Sequence, residues 1–102
     1  MIKVTIVRHN NLIQSLEISG HADSGPKGHD LVCAAVSAII TGGANAIPNK
    51  ANYNIKLESG YALIEMKNAD EESNKVLNTV WVMLKTVEES YPQHIKILDR
   101  EN

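Results

Sequence analysis

A single cysteine, Cys33, is the only thiol this 102-residue chain carries. One thiol excludes an intramolecular disulfide, a C-x-x-C redox pair and a thiolate-rich zinc site, so whatever Cys33 does it does alone. Long apolar runs are missing as well. None approaches the roughly 18 residues that cross a bilayer, and "MIKVTIVRHNN" has no secretory h-region, so the chain is expected in the cytoplasm and away from membranes. Nor is there an excess of positive charge. Ten basic residues stand against twelve acidic ones, and the basic ones are scattered from Lys3 to Arg100. No phosphate-tracking stripe forms, which argues against direct nucleic-acid binding. Four histidines without a repeated ligand spacing indicate no metal site. "GPKG" lacks the Lys-Ser/Thr ending of a phosphate loop, and the Asp70, Glu71, Glu72 run reads most simply as a solvated first helical turn. With no linker composition anywhere, residues 1–102 are expected to form one domain with its own core.

What the sequence does contain is clear periodicity. Ile2, Val4 and Ile6 alternate with Lys3 and Thr5, a strand pattern rich in β-branched residues. Asn10 and Asn11 tolerate positive φ and suit a tight hairpin, after which Leu12, Gln14, Leu16, Ile18 and Gly20 alternate against Ile13, Ser15, Glu17, Ser19 and His21. Strict alternation therefore puts His21 on the face opposite Leu16 and Ile18 unless Gly20 turns the chain. "ADSGPKGHD" crowds glycines and a proline into a stretch expected to be a mobile loop, closed by Asp30 as a helix N-cap. A helix is predicted from Leu31 to about Asn45, ended by Gly42, Gly43 and the later Pro48. Its apolar residues point nearly all round, the signature of a buried helix, with Asp30, Cys33, Ser37 and Thr41 as one narrow polar stripe. "ANYNIKLESGYALIEMK" reads as a second hairpin turning at Ser59-Gly60. The next segment places Val76, Leu77, Val80, Leu84 and Val87 on one helical face, and "HIKILD" supplies a last strand. The order ββαββαβ predicts an α+β fold, a mainly antiparallel β-sheet packed against two helices.

On this reading Cys33 is the third residue of its helix, where unpaired backbone N–H groups and the positive end of the helix dipole favour thiolate. The N–H groups of Leu31, Val32 and Cys33 are then candidates for stabilising an oxyanion on a carbonyl attacked by the sulfur. Asp30 opposes the thiolate with its negative charge, so the net effect has no sign from sequence. Two readings of Cys33 stand side by side: a small buried core residue in an alanine-rich helix, or a nucleophile on the polar stripe. His21 at a strand end suits a surface position as well as a base. His29 is a rival base that is expected to face solvent. Ser37, one turn below Cys33, can equally hydrogen-bond its own helix.

Gly20-His21-Ala22, Gly28, Asp30 and then Val32-Cys33-Ala34-Ala35-Val36-Ser37-Ala38 together resemble the signature of the ribosomal-processing cysteine protease family Prp. The resemblance covers essentially the whole chain and implies a cytoplasmic endopeptidase that works without a cofactor. It matches Cys33 to the nucleophile and His21 to the general base. Asp30, Ser37 and Gly20 match supporting positions. It further implies, as substrate, the N-terminal extension of large-subunit ribosomal protein twenty-seven, and a homodimer as the assembly. It also requires Gly20 to redirect the strand end so that His21 approaches Cys33. Two other classes remain open on the sequence: a non-catalytic ribosome-associated module with a structural cysteine, and another thiol enzyme such as an acyltransferase.

Overall fold

The structure, a computed structural model, describes residues 1–21 and 26–102, with side chains described at all of these except 26–30. Five strands and two helices follow the expected α+β order: β1 Ile2–His9, β2 Leu12–Ser19, α1 Pro26–Ala46, β3 Tyr53–Glu58, β4 Tyr61–Met66, α2 Glu71–Ser90 and β5 Ile95–Glu101. The sheet order is β3-β4-β2-β1-β5. All neighbours are antiparallel except β1 and β5, which pair in parallel from Ile2 beside Ile95 to Arg8 beside Glu101. Both helices pack on one face, and the core between layers comes from Val4, Ile6, Leu16 and Ile64 below and Val32, Val36, Leu77 and Leu84 above.

The β1–β2 turn has Asn10 at φ 52° and Asn11 at φ 66°, the paired positive angles a tight two-residue hairpin needs. The alternation in β2 does not run unbroken. Val7 faces Ser15 and Arg8 faces Ile13, so Gln14 is an extra residue in a β-bulge. The bulge puts Ile13 in the core beside Leu16, correcting the expectation that Leu12 and Gln14 share the inner face.

Helix α1 departs from expectation at both ends. It begins at Pro26, five residues before Leu31. Proline is well suited to the first helical position, where its missing N–H would have no partner and its fixed φ is already helical. Asp30 is therefore inside the helix and not its N-cap. The glycines do not end it either: α1 runs through Gly42 and Gly43 to Ala46. A Cβ on Gly43 would collide with Val80 Cγ2, so this glycine allows α1 and α2 to approach closely, while Gly42 has nothing within 4 Å. The Lys50 ammonium then donates to the carbonyls of Asn45 and Ile47, each at 2.9 Å, satisfying the negative end of the helix. Burial of α1 is one-sided, not all-round. Val32, Val36, Ile40 and Ala44 line the core at a four-residue spacing, whereas Leu31 is 56% exposed and Ala34 and Ala38 face outward.

Helix α2 starts at a side-chain cap, Asp70, whose carboxylate accepts from the Ser73 N–H at 3.1 Å. Glu71 and Glu72 are solvated as expected, but Asp70 is buried. Asn49 and Asn52 donate to its carboxylate at 3.0 and 3.1 Å. Asn74, one turn on, is 2% exposed and grips β2, accepting from the Ile13 N–H and donating to the Ile13 carbonyl. At the far edge Arg8 binds the Asp99 carboxylate and lies 4.7 Å from the Trp81 ring centroid, joining α2 to β1 and β5.

Candidate active site

Gly20 follows the end of β2 with φ +95°, a region that side-chain-bearing residues rarely adopt, and so turns the chain away from strict alternation. A Cβ there would press on the Met1 carbonyl oxygen. The Gly20 N–H donates to the Gly60 carbonyl at 3.0 Å, and the His21 carbonyl accepts from the Met1 amino nitrogen. His21, the next residue, is exposed and lines a cleft of about 230 Å³ together with Cys33. The backbone leaves the extended conformation at Gly20, the position where a change of direction is expected.

Cys33 and Ser37, one turn apart on α1, form the helical wall of this cleft, and Ile2, Ile18, Val36, Ile40 and Ala62 supply its apolar lining. Cys33 is free, half-buried and packed against the core, so its sulfur is neither locked away nor fully solvated. That suits a nucleophile approached from one side. Of the supporting residues, Gly20 and Ser37 share the cleft with Cys33 and His21. Of the 22–30 stretch expected to be a mobile loop, Pro26–Asp30 belong to α1 instead, while residues 22–25 and the side chains of His29 and Asp30 lie outside what the structure describes.

The dipole and oxyanion expectations need correction. With α1 starting at Pro26, Cys33 is its eighth residue and no longer in the first turn. The α-helical pattern directs the N–H groups of Leu31, Val32 and Cys33 to carbonyls four residues back, which leaves them unavailable as oxyanion donors.

Sequence reasoning missed the cleft's second wall. Glu58, Ser59, Gly60 and Tyr61, from the β3–β4 turn, stand across from α1. Ser59-Gly60 announces a turn, but nothing local says that the turn meets the end of β2. The wall is braced on its outer side, where the Tyr61 hydroxyl donates to Glu17 Oε2 at 2.6 Å. That hydrogen bond to a carboxylate is the main reason the Tyr61 hydroxyl titrates above its ordinary value.

A half-buried thiol and a histidine line one cleft on a small α+β sandwich, the pair of groups that a thiol-dependent enzyme uses. The sequence profile of the family described as Cysteine protease Prp matches residues 1–96. The ribosomal processing cysteine protease Prp of Staphylococcus aureus is 34% identical over 103 residues, covering 95% of this chain and 97% of that protein. Its Bacillus subtilis counterpart is 32% identical over 107 residues, with 95% and 96% covered. Among solved structures, an essential ribosomal processing protease Prp from S. aureus, in complex with a covalently linked product peptide, superposes with a TM-score of 0.85. It is 32% identical, and the match covers 97% of this chain and 99% of that one. The chain belongs to the Prp family of cysteine proteases.

Proposed function

We propose that this cysteine protease removes the N-terminal extension of large-subunit ribosomal protein twenty-seven, with Cys33 as nucleophile and His21 as general base. The observation that supports the assignment of roles is that Cys33 and His21 line the same cleft, with the positive-φ Gly20 directly before His21. The target rests on the family: the relatives are named for ribosomal processing, and the S. aureus protein is described with a covalently linked product peptide.

His21 accepts the thiol proton as the sulfur attacks the scissile carbonyl, and the tetrahedral intermediate collapses as His21 returns the proton to the leaving amine. Water, deprotonated by the same imidazole, then hydrolyses the thioester and restores the thiol. No cofactor enters this sequence of steps. Ser37 and Gly20 act as support, Ser37 from the turn below the nucleophile and Gly20 by aiming the base. Asp30, one turn before Cys33 on α1, is assigned a supporting role by the resemblance. The protein acts where ribosomal subunits mature, in the cytoplasm. No helix among the described residues is long and apolar enough to cross a membrane.

The assembly proposed is a homodimer. Its support is the family resemblance together with apolar side chains left exposed on the helical layer, Leu31 on α1 and Val82 and Met83 on α2. Sedimentation equilibrium tests it, and a monomer at micromolar concentration would end it. The catalytic reading is tested by incubating purified protein with extended ribosomal protein twenty-seven and following intact mass. The expected result is release of the extension by the wild type. A well-folded wild type that leaves the extension intact would remove the assigned target.

A further inference from the structure

The β3–β4 turn does more than close the cleft. The His21 imidazole lies directly over Gly60: a Cβ on Gly60 would stand 2.8 Å from His21 Nε2, 3.1 Å from Cε1 and 3.7 Å from Cδ2. The Nε2–Cε1 edge of the ring thus occupies the volume that a side chain at position 60 would take. The same glycine's carbonyl holds the Gly20 N–H, so one residue meets both the main chain before His21 and the ring itself.

Gly60 has φ +75°, and a turn could by itself account for a glycine there. The other hairpin of this chain shows that backbone conformation is not the whole demand. Asn10 and Asn11 hold φ 52° and 66° with side chains in place, and asparagine is equally acceptable at the positive-φ position of a turn such as Ser59-Gly60. Position 60 adds a second demand, the imidazole above it.

We propose that Gly60 is a positioning residue for His21: the bare turn seats the imidazole in the cleft, and any Cβ at position 60 moves the ring off its seat. The consequence for chemistry rests on the reading of His21 as general base; the seat itself does not. A ring displaced by an ångström loses its alignment with the thiol, which costs on the order of 10- to 100-fold in a proton-transfer step.

Gly60→Asn is the informative variant, because it preserves tolerance of positive φ and adds a Cβ; Gly60→Ala adds the Cβ with strain. In the wild type, NMR on histidine-labelled protein is expected to show a nuclear Overhauser contact between the Gly60 α-protons and the imidazole Cε1 proton. In Gly60→Asn the His21 ring resonances should shift, and the rate of Cys33 alkylation should move toward that of His21→Ala. Placed in a His21→Ala background, Gly60→Asn should change alkylation less than about twofold, since the effect travels through the ring. Absence of the wild-type contact would overturn the seat, and this holds even if the variants fail to fold. A folded Gly60→Asn with unshifted ring resonances would overturn it too, as would a rate effect of equal size without His21. If His21→Ala leaves the alkylation rate untouched, the base assignment falls, and the proton contact and ring shifts still decide the seat.

Discussion

The two ends of this sandwich are held in opposite ways. At the end where α1 finishes and α2 begins, side chains tie the layers together: Asn49 and Asn52 bind Asp70, Asp70 caps α2, and Asn74 grips Ile13. At the other end the cleft is shaped by main chain, through two positive-φ glycines, Gly20 and Gly60, hydrogen-bonded to each other. The first arrangement uses polar side chains for architecture. The second forms a wall from the Gly60 turn and leaves Cys33, His21 and Ser37 lining a cleft. Division of labour of this kind predicts that substitutions at one end remove chemistry and those at the other remove stability, with little crossover.

The sharpest break in that comparison comes from Cys33. Cys33→Ala suits an alanine-rich helix and leaves little cavity, so its thermal midpoint should stay near that of the wild type. Cleavage of extended ribosomal protein twenty-seven should fall by roughly 10³-fold or more, because the covalent route is gone. Cys33→Ser should be nearly as inactive, a hydroxyl being a far weaker nucleophile beside a lone imidazole. Intact-mass time courses measure both. Substantial cleavage by Cys33→Ala would refute the thiol mechanism.

At the opposite end, Asn74→Ala should show the largest loss of stability. It strips a buried N–H and a buried carbonyl of Ile13 of their partners, and two unsatisfied groups cost on the order of 3 kcal/mol. Chemical denaturation reads the loss, while the alkylation rate of Cys33 in the folded variant should remain close to wild type. A stable Asn74→Ala with a slowed thiol would join the two ends and contradict their separation.

Adjacent glycines sharpen the contrast within one helix. Gly43→Ala forces a methyl into Val80 on α2, an overpacking expected to cost about 1–3 kcal/mol. Gly42→Ala meets nothing within 4 Å and should stabilise the helix by up to about 1 kcal/mol through propensity alone. Equal melting shifts for the two would mean that the helices do not approach where they are placed.

Residues in regular alternation are legible from the amino-acid order alone. Ile2, Val4 and Ile6, the Tyr53–Met66 hairpin and the apolar face of α2 all follow from period and turn chemistry, and so does the order ββαββαβ. Where the molecule departs from those patterns, the reasons are physical. A bulge at Gln14 shifts the inner face by one residue, and one added residue leaves no mark in composition. Pro26 and Gly28 read as breakers, yet a first helical turn accepts both. Ala34 and Ala38 count as apolar but bury so little surface that exposing them costs little, so α1 reads as buried all round when it is not. Asp70 reads as one more solvated acid, because its partners Asn49 and Asn52 lie about twenty residues away in sequence. The pairing of Cys33 with His21 comes from the family resemblance; the Gly60 wall, a tertiary contact, has no local signal.

The smallest expected effect concerns acid. Hydrogen bonding by Asn52, aided by Ser73 and Asn49, holds the Asp70 carboxyl at about 2, below its ordinary 3.8. A carboxyl lowered on folding contributes stability that is present above 3.8 and is lost as the pH falls toward 2, because the unfolded chain takes up the proton first. Asp70→Asn keeps the hydrogen-bond geometry in part but cannot titrate. Its melting temperature should sit modestly below wild type at neutral pH, and the gap should close as acid is added through that window. The His21–Cys33 cleft lies at the other end, so alkylation of Cys33 measured near neutrality should be unchanged by the substitution. Parallel melting curves for Asp70→Asn and wild type down to the lowest pH would show that the carboxylate charge contributes nothing and that the cap works as a neutral hydrogen bond. A gap that widens with acid would reverse the sign and place a raised carboxyl, not a lowered one, at the start of α2.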